Sequence, residues 1–197
     1  NTGGMGAVSP VPFANESLMR KIEERVIIPT INGLQKEGLD YRGFIFLGFM
    51  IENDEPYMIE YNCRMGDPET EVVMPRLKND LVELFQAVAE QKLDTIKIET
   101  DERTVCTVVA VSGGYPGDYK KGYEIHGLQD INPADSVVYH MGTIIKDGKV
   151  VTNGGRVFCV TSYGRSIYDA VAISKEEIEK ITFTGMEYRS AIGYEFD

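Results

Sequence analysis

The sequence has little cysteine, little histidine, few basic residues and no long apolar run, and each shortage excludes something. Its three cysteines, Cys63, Cys106 and Cys159, are odd in number, far apart and without a paired metal-binding spacing. That pattern excludes a disulfide framework and predicts reduced thiols in a cytoplasmic compartment. Twenty Lys and Arg face thirty-one Asp and Glu, a formal net charge of -11. So acidic a surface repels a phosphate backbone unless basic residues cluster, and none do, so nucleic acid is not an expected partner. No apolar run reaches the roughly 20 residues of a membrane span, and the start is too glycine-rich and polar for a signal peptide, so no membrane is expected either. The two histidines, His126 and His140, have no third partner and read as structural. There is no internal repeat. The first residue is Asn1 and a glycine-rich segment begins at once, although such a loop normally connects two elements. The expectation is a fragment whose N-terminal part lies elsewhere.

What is present is an ordinary globular composition, 43% hydrophobic and 26% charged over 197 residues, enough for one large domain or two small ones with a sizeable core. The most informative stretch is 57–77, YMIEYNCRMGDPETEVVMPRL. In an extended segment alternate side chains share a face, so Glu60, Asn62 and Arg64 project together while Ile59, Tyr61 and Cys63 project oppositely. A carboxylate and an amide oxygen two residues apart can hold a hard divalent cation, and the guanidinium beyond them can hold a phosphate or carboxylate. A solvated edge strand would carry the same residues.

In chain order, 1–12 (NTGGMGAVSPVP) places Gly3, Gly4 and Gly6 around Met5, a backbone able to form an anion-binding nest or merely a flexible turn. Its spacing is neither that of a Rossmann fingerprint nor of a P-loop. From a cap at Asn15 the pattern predicts a helix with Leu18, Ile22, Val26 and Ile27 on one stripe, kinked or ended by Pro29. Residues 43–51 (GFIFLGFMI) are apolar on both faces, as in a strand deep in a sheet, and 52–55 turn the chain into a partner strand over 56–62. After a tight turn at 64–71, Asp80 is expected to cap a helix burying Leu81, Leu84, Phe85 and Val88. Asp67 and Glu69 sit where a helix would begin, which favours carboxylates without any function. The polar stretch 95–103 marks a boundary, giving domains at 1–97 and 98–197. The second is predicted to be small, α+β and mostly antiparallel, with strands at 104–111, 137–145, 149–152 and 156–161, a hairpin turn at Asp147-Gly148, and a helix over about 166–181 burying Ile167, Ala170, Val171, Ile178 and Ile181. The cysteines alternate with apolar neighbours and read as small core residues.

Five segments taken in order, 1–6 (NTGGMG), 60–64 (EYNCR), 66–69 (GDPE), 112–118 (SGGYPGD) and 153–157 (NGGRV), with the closing 185–196 (GMEYRSAIGYEF), make the chain resemble the C-terminal portion of the phosphoribosylamine–glycine ligase family, ATP-grasp enzymes of purine biosynthesis also called glycinamide ribonucleotide synthetases. RMGDPE after a Glu-x-Asn-x-Arg strand carries the family resemblance; the strand alone carries only that to the ATP-grasp fold. The implied fold is α+β: part of an ATP-grasp domain, an antiparallel sheet with helices, followed by a small, mostly antiparallel α+β domain.

The resemblance implies that ATP phosphorylates the carboxylate of glycine and that the amine of 5-phosphoribosylamine displaces phosphate from the acyl phosphate. Such a transfer needs positioning and charge neutralisation more than covalent help. It also implies Glu60 and Asn62 as ligands of Mg2+ (or Mn2+) and Arg64 as the residue steadying the transferring phosphoryl group. Asp67, Pro68 and Glu69 would contact glycine or phosphoribosylamine. Asn1, Thr2, Gly3, Gly4 and Gly6 would line the phosphate and substrate side, and Gly155 with Arg156 would receive the ribose 5-phosphate. Two departures are visible. Met65 and Glu71 stand where many relatives have phenylalanine and glutamine, and 43–51 lacks the acidic metal ligand that ATP-grasp sites usually take from the preceding strand. Two other outcomes stay open: an inactive fragment keeping only the metal side of the site, and an ATP-grasp ligase for another carboxylate and amine.

Overall fold

The computed structural model describes residues 3–196, which fall into two compact units. One unit, here the sheet unit, takes residues through Ser9, Asp67–Leu77 and everything from Thr100; the other, the hairpin unit, takes Pro10–Gly66 and Lys78–Glu99. In chain order the elements are β1 (Gly6–Ser9), α1 (Glu16–Ile22), α2 (Ile28–Lys36), β2 (Phe46–Glu52), β3 (Glu55–Asn62), α3 (Thr70–Val73), α4 (Leu81–Ala89), β4 (Thr104–Ser112), β5 (Ser136–His140), β6 (Thr143–Lys146), β7 (Lys149–Thr152), β8 (Arg156–Gly164), α5 (Ile167–Ile178) and β9 (Met186–Tyr188). This is the α+β, antiparallel architecture that the sequence predicts. Among the described residues no helix is long and apolar enough to cross a membrane.

The sheet unit is built on β4 and β8, adjacent antiparallel strands in a sheet ordered β1-β4-β8-β5, with β9 added beside the end of β4. All nine residues of β4 are buried, because the strand has a neighbour on each edge and side chains packed on each face. On one face Cys106, Val108 and Ala110 meet Phe158, Val160 and, from α5 and the segment after it, Ala170, Ile178, Ile181 and Phe183. On the other, Val109, Val111 and Cys159 pack with Met5, Tyr115, Tyr139 and Met141. The two polar residues at the centre of the sheet satisfy each other, Thr161 Oγ1 donating to Thr107 Oγ1 at 2.8 Å. Helix α5 starts where Ser166 Oγ accepts from the Asp169 amide. It buries Ala170 and Ile178 as expected, with Ile181 buried just beyond its end, whereas Ile167 and Val171 are only half-buried.

Two strand readings need correction here. The single strand expected over 137–145 is two, because the amides of Met141 and Gly142 both donate to Val157 O, which turns the chain out of the ladder. Residues 6–9, read as part of a loop, form β1, paired with β4 through Gly6 opposite Val108. The chain passes between the units for the last time at Glu99 to Thr100, and β1 and residues 67–77 also fall in the sheet unit.

In the hairpin unit Asn15 Oδ1 accepts from the Leu18 amide and begins α1, with Leu18 and Ile22 buried and Val26 and Ile27 half-buried. Pro29 does not end the helix. The turn Glu23–Ile27 widens, the Ile28 amide reaching back to Glu23 O, and α2 restarts with the proline in its first turn, where no amide hydrogen is required. Asp80 Oδ1 caps α4, but the buried pair there is Leu84 and Ala87. Phe85 is exposed and turns to meet Phe44 edge-on at 6.0 Å. The strand expected deep in a sheet is one half of a two-stranded hairpin, β2 with β3. Met50 on β2 and Ile59 on β3 are 60% and 62% exposed in this chain, although α1 packs against β3. Cys63 is likewise exposed, while Cys106 and Cys159 are core residues.

Candidate functional site

In the hairpin unit the sequence-predicted metal pair is brought together: Asn62 Nδ2 donates to Glu60 Oε1 at 3.0 Å. Two features of the hairpin aim Glu60. The β2–β3 register shifts between Gly48 and Phe49, so that Gly48 faces Glu60, Phe49 faces Met58, and Ile59 is the extra residue of a bulge; a bulge re-aims the side chains beside it. A β-carbon on Gly48 would lie 3.0 Å from Glu60 Cγ, tighter than ordinary contact. The absence of a side chain at Gly48 therefore makes the space that Glu60 occupies. Neither feature was read from the sequence, although a glycine inside an apolar strand is the available signal for both.

The pair fits a hard cation. Its internal hydrogen bond uses one Glu60 oxygen and the Asn62 nitrogen, which leaves the second Glu60 oxygen and Asn62 Oδ1 as oxygen donors. Mg2+ is commonly bound through one or two protein oxygens, with phosphates and water completing its shell. Among the described residues no group of three or more His, Cys, Asp or Glu is placed to hold a metal. Arg64 lies beyond the end of β3, so strand alternation does not carry to it, and its guanidinium donates to Met65 O at 2.8 Å.

In the sheet unit the structure assembles a second set of predicted residues. Arg156, the first residue of β8, is forked onto Asp67, Nη1 to Oδ1 at 2.7 Å and Nη2 to Oδ2 at 2.8 Å, the bidentate geometry that planar guanidinium and carboxylate prefer. Nη1 also approaches Gly4 O at 3.4 Å. Gly4 has φ +76°, and a β-carbon there would stand 3.0 Å from Arg156 Nη1, so backbone conformation and space both call for glycine. A bulge at Val157, where Ala110 faces Phe158 and Val111 faces Arg156, turns the arginine toward this corner. Gly155 is buried beneath Tyr115 and Tyr119 and its carbonyl accepts from the Ser112 amide. It acts there as a packing residue, and Arg156 already carries a carboxylate. Pro68 is buried, Glu69 is half-buried and precedes α3, and Gly3 is exposed. Asn1 and Thr2 lie outside the described residues.

Asp67 and Arg156, with Glu71, His140, Met141 and Gly142, line a cleft of about 380 Å³. Glu71, one residue into α3, was read only as a departure from the family pattern. Burial pushes its carboxyl up and Asp67 pushes it further, while a hydrogen bond with its own backbone and, to a lesser degree, Arg156 pull it back. The buried thiols are inert for the same reason, burial raising Cys106 to about 12 and Cys159 to about 11.

A two-stranded ATP-grasp-type hairpin with its oxygen pair, joined in sequence to an antiparallel α+β unit, agrees with two family matches. Residues 1–70 match the ATP-grasp (A) domain of phosphoribosylglycinamide synthetase and residues 105–195 its C domain. The class is thus ATP-grasp. More particularly, the chain belongs to the phosphoribosylglycinamide synthetase family. It is 45% identical over 196 residues to a phosphoribosylamine–glycine ligase of Caldanaerobacter subterraneus subsp. tengcongensis, a match spanning 98% of this chain and 46% of that protein. A trifunctional purine biosynthetic protein adenosine-3 of Gallus gallus is 46% identical over 195 residues, 98% of this chain and 19% of that one. The crystal structure of phosphoribosylamine–glycine ligase from Thermotoga maritima superposes with a TM-score of 0.78 at 38% identity, covering 96% of this chain and 46% of that one. The chain therefore spans less than half the length of the ligases it matches.

Proposed function

We propose that this chain is the metal-side and C-terminal portion of an ATP-dependent carbon–nitrogen ligase that joins glycine to 5-phosphoribosylamine, giving glycinamide ribonucleotide, ADP and phosphate. The observation that carries the reading is the Glu60–Asn62 oxygen pair in a chain matched by both family domains. Residues 1–97 would form the end of the ATP-grasp domain and 98–197 the C-terminal domain, working in the cytoplasm as part of purine synthesis.

Glu60 and Asn62 would hold Mg2+, whose chemistry is to neutralise the phosphate oxygens of ATP while the phosphoryl group moves. Manganese accepts the same oxygen donors. Arg64 would exchange its bond to Met65 O for the transferring phosphoryl group or the acyl phosphate. Asp67, Pro68 and Glu69 would orient glycine or phosphoribosylamine, with Gly3, Gly4 and Gly6 of the opening loop at the substrate side. Gly155 would contribute by fixing the position of Arg156. A carboxylate is a poor electrophile, and converting it to a glycyl phosphate supplies a leaving group; the protein's part is then to align amine and acyl carbon.

Glycine-dependent ADP release with phosphoribosylamine, measured on this chain and on a full-length ligase that contains it, tests the reading. Activity in the longer protein that is lost on Glu60→Ala while the fold is retained supports it; near-normal Mg2+-dependent activity in that variant refutes the metal assignment. A second reading, that these residues alone do not catalyse, is favoured by the 46% coverage of the ligases matched; equal activity in both proteins would refute it. Replacing glycine or the amine by analogues in the same assay tests for a ligase of other substrates.

A further inference from the structure

We infer that Ile192 is a positioning residue for the glycine-rich opening loop, and that residues 189–196 act as a clasp fixing where Gly3 and Gly4 stand. One edge of β4 is shared by two segments placed end to end. β1 runs along it from Ser9 opposite Val105 to Gly6 opposite Val108, and the Val109 amide donates to Met5 O at 3.1 Å. The next residue of β4, Ala110, faces Tyr188, the last residue of β9. The chain leaving β9 therefore arrives where the opening loop enters β1, and an edge offers each of its backbone groups to one ladder only. The chain leaves the ladder after Tyr188, and by Ile192 it lies over β1.

One side chain on one glycine makes the contact. A β-carbon on Gly6 would stand 2.6 Å from Ile192 Cδ1 and 2.8 Å from Ile192 Cγ1, so Ile192 fills the space that a side chain at position 6 would take. Ile192 and Val8 both pack against the buried cluster that holds Cys106, Val108 and Ala110. On its other side the segment is held to α5. A β-carbon on Gly193 would stand 2.7 Å from Val171 Cγ2, and the Tyr168 hydroxyl donates to Phe196 O. Between these anchors the backbone closes local turns, Tyr194 N to Ala191 O and Phe196 N to Gly193 O, each at 3.1 Å. β1 is four residues long and stands at the end of the sheet order. Few ladder bonds hold the loop before it, so the packing of Ile192 on Gly6 carries a large share of its placement. That loop leads to Gly4, whose carbonyl Arg156 Nη1 approaches at 3.4 Å. The clasp is independent of the proposed reaction, but its effect on substrate rests on that reading, in which the loop stands at the substrate side.

The test compares Ile192→Ala, Ile192→Val and Ile192→Leu by kinetics in a full-length ligase containing this chain, and by hydrogen exchange of the Val109 amide, the donor to Met5 O, in this chain. Ile192→Ala should raise the KM of glycine or of phosphoribosylamine about fivefold or more while kcat and the KM of ATP stay within about twofold, the pattern of lost substrate binding rather than lost chemistry. Ile192→Val loses the Cδ1 nearest Gly6 and should fall between alanine and wild type. Ile192→Leu conserves volume and should restore most of the affinity. Exchange at Val109 should quicken about tenfold in Ile192→Ala while the β8 amides stay within about threefold, a local opening rather than a global one. A role in stability alone would lower kcat through the folded fraction and leave the KM values where they were; that result overturns the inference, as does unchanged exchange at Val109. If Ile192→Ala fails to fold, the valine variant decides on the same two readings. If exchange follows the series but the wild-type ligase shows no glycine-dependent ADP release, the clasp stands and the ligase reading falls. If the ligase turns over normally and neither KM responds to any of the three variants, the clasp falls and the ligase reading stands.

Discussion

The Arg156–Asp67 fork makes a quantitative prediction through the carboxylates around it. At an effective dielectric of about 20, two unit charges about 4 Å apart attract by about 4 kcal/mol gross. Desolvation and the ordering of two side chains remove most of this, and fully exposed pairs retain only about 0.2–1 kcal/mol. This pair is half-sheltered, Arg156 25% and Asp67 43% exposed at the side chain, and its geometry is bidentate, so a coupling of about 1–2 kcal/mol is expected. The single variants should differ. Arg156→Met leaves Asp67, Glu69 and Glu71 together with no guanidinium among them, and Arg156 is the charged group that pulls the Glu71 carboxyl down, after a backbone hydrogen bond of Glu71 itself. Asp67→Asn removes a group that pushes Glu71 up and leaves the guanidinium to serve it. Arg156→Met should therefore cost about 2 kcal/mol and Asp67→Asn about half of that. Hydrogen exchange of the buried β4 and β8 amides reads the opening free energy of the unit that contains the pair, and a double-mutant cycle on those amides isolates the coupling. The asymmetry should shrink as pH falls through the carboxylate range. A coupling below about 0.3 kcal/mol, or a greater loss from Asp67→Asn than from Arg156→Met, would refute the reasoning.

Phe158 is fully buried and meets Phe183 edge-on with ring centroids 6.2 Å apart; Phe158→Ala should destabilise the sheet unit by about 3–5 kcal/mol, read from the same amides. Glu71 has a folded-state pKa raised chiefly by burial, so its contribution is most favourable below the unfolded value and is lost as pH rises through the folded value. Glu71→Gln should then melt higher than the wild type at neutral pH and no higher at pH 4. A thiol reagent at pH 8 should modify one cysteine of the folded chain, the exposed Cys63, and three after denaturation, because Cys106 and Cys159 are buried with pKa values near 12 and 11. Gly48→Val places branches against Glu60 Cγ and should lower Mg2+-dependent turnover of a full-length ligase containing this chain by about a hundredfold, the scale of an ångström's misplacement. Turnover within a factor of three would separate Glu60 from the metal.

The sequence made legible whatever depends on local pattern, and hid what depends on which segments meet. Alternation gave the β3 strand with Glu60 and Asn62 on one face, and the caps expected at Asn15 and Asp80 begin helices in the structure. The same alternation overreached at Arg64, because nothing in a period of two says where a strand stops. Burial was misjudged at Met50, Phe85 and Cys63, since apolar identity records a tendency to be covered but not what packs on each face. The corner at Gly4, Asp67, Glu71 and Arg156 was invisible as a unit: its members come from three distant segments, joined because β1 pairs with β4, β4 with β8, and α3 packs on β1 and β4. What a sequence reader can extract in such a case is a mismatch. Arg156 beside two glycines suggested a receptor for an anion, yet Asp67 was singled out in a different segment with no partner of its own. When unmatched charges of opposite sign are each assigned to a ligand, the simpler hypothesis is that they bind each other, and here the fork of Arg156 on Asp67 is that pairing.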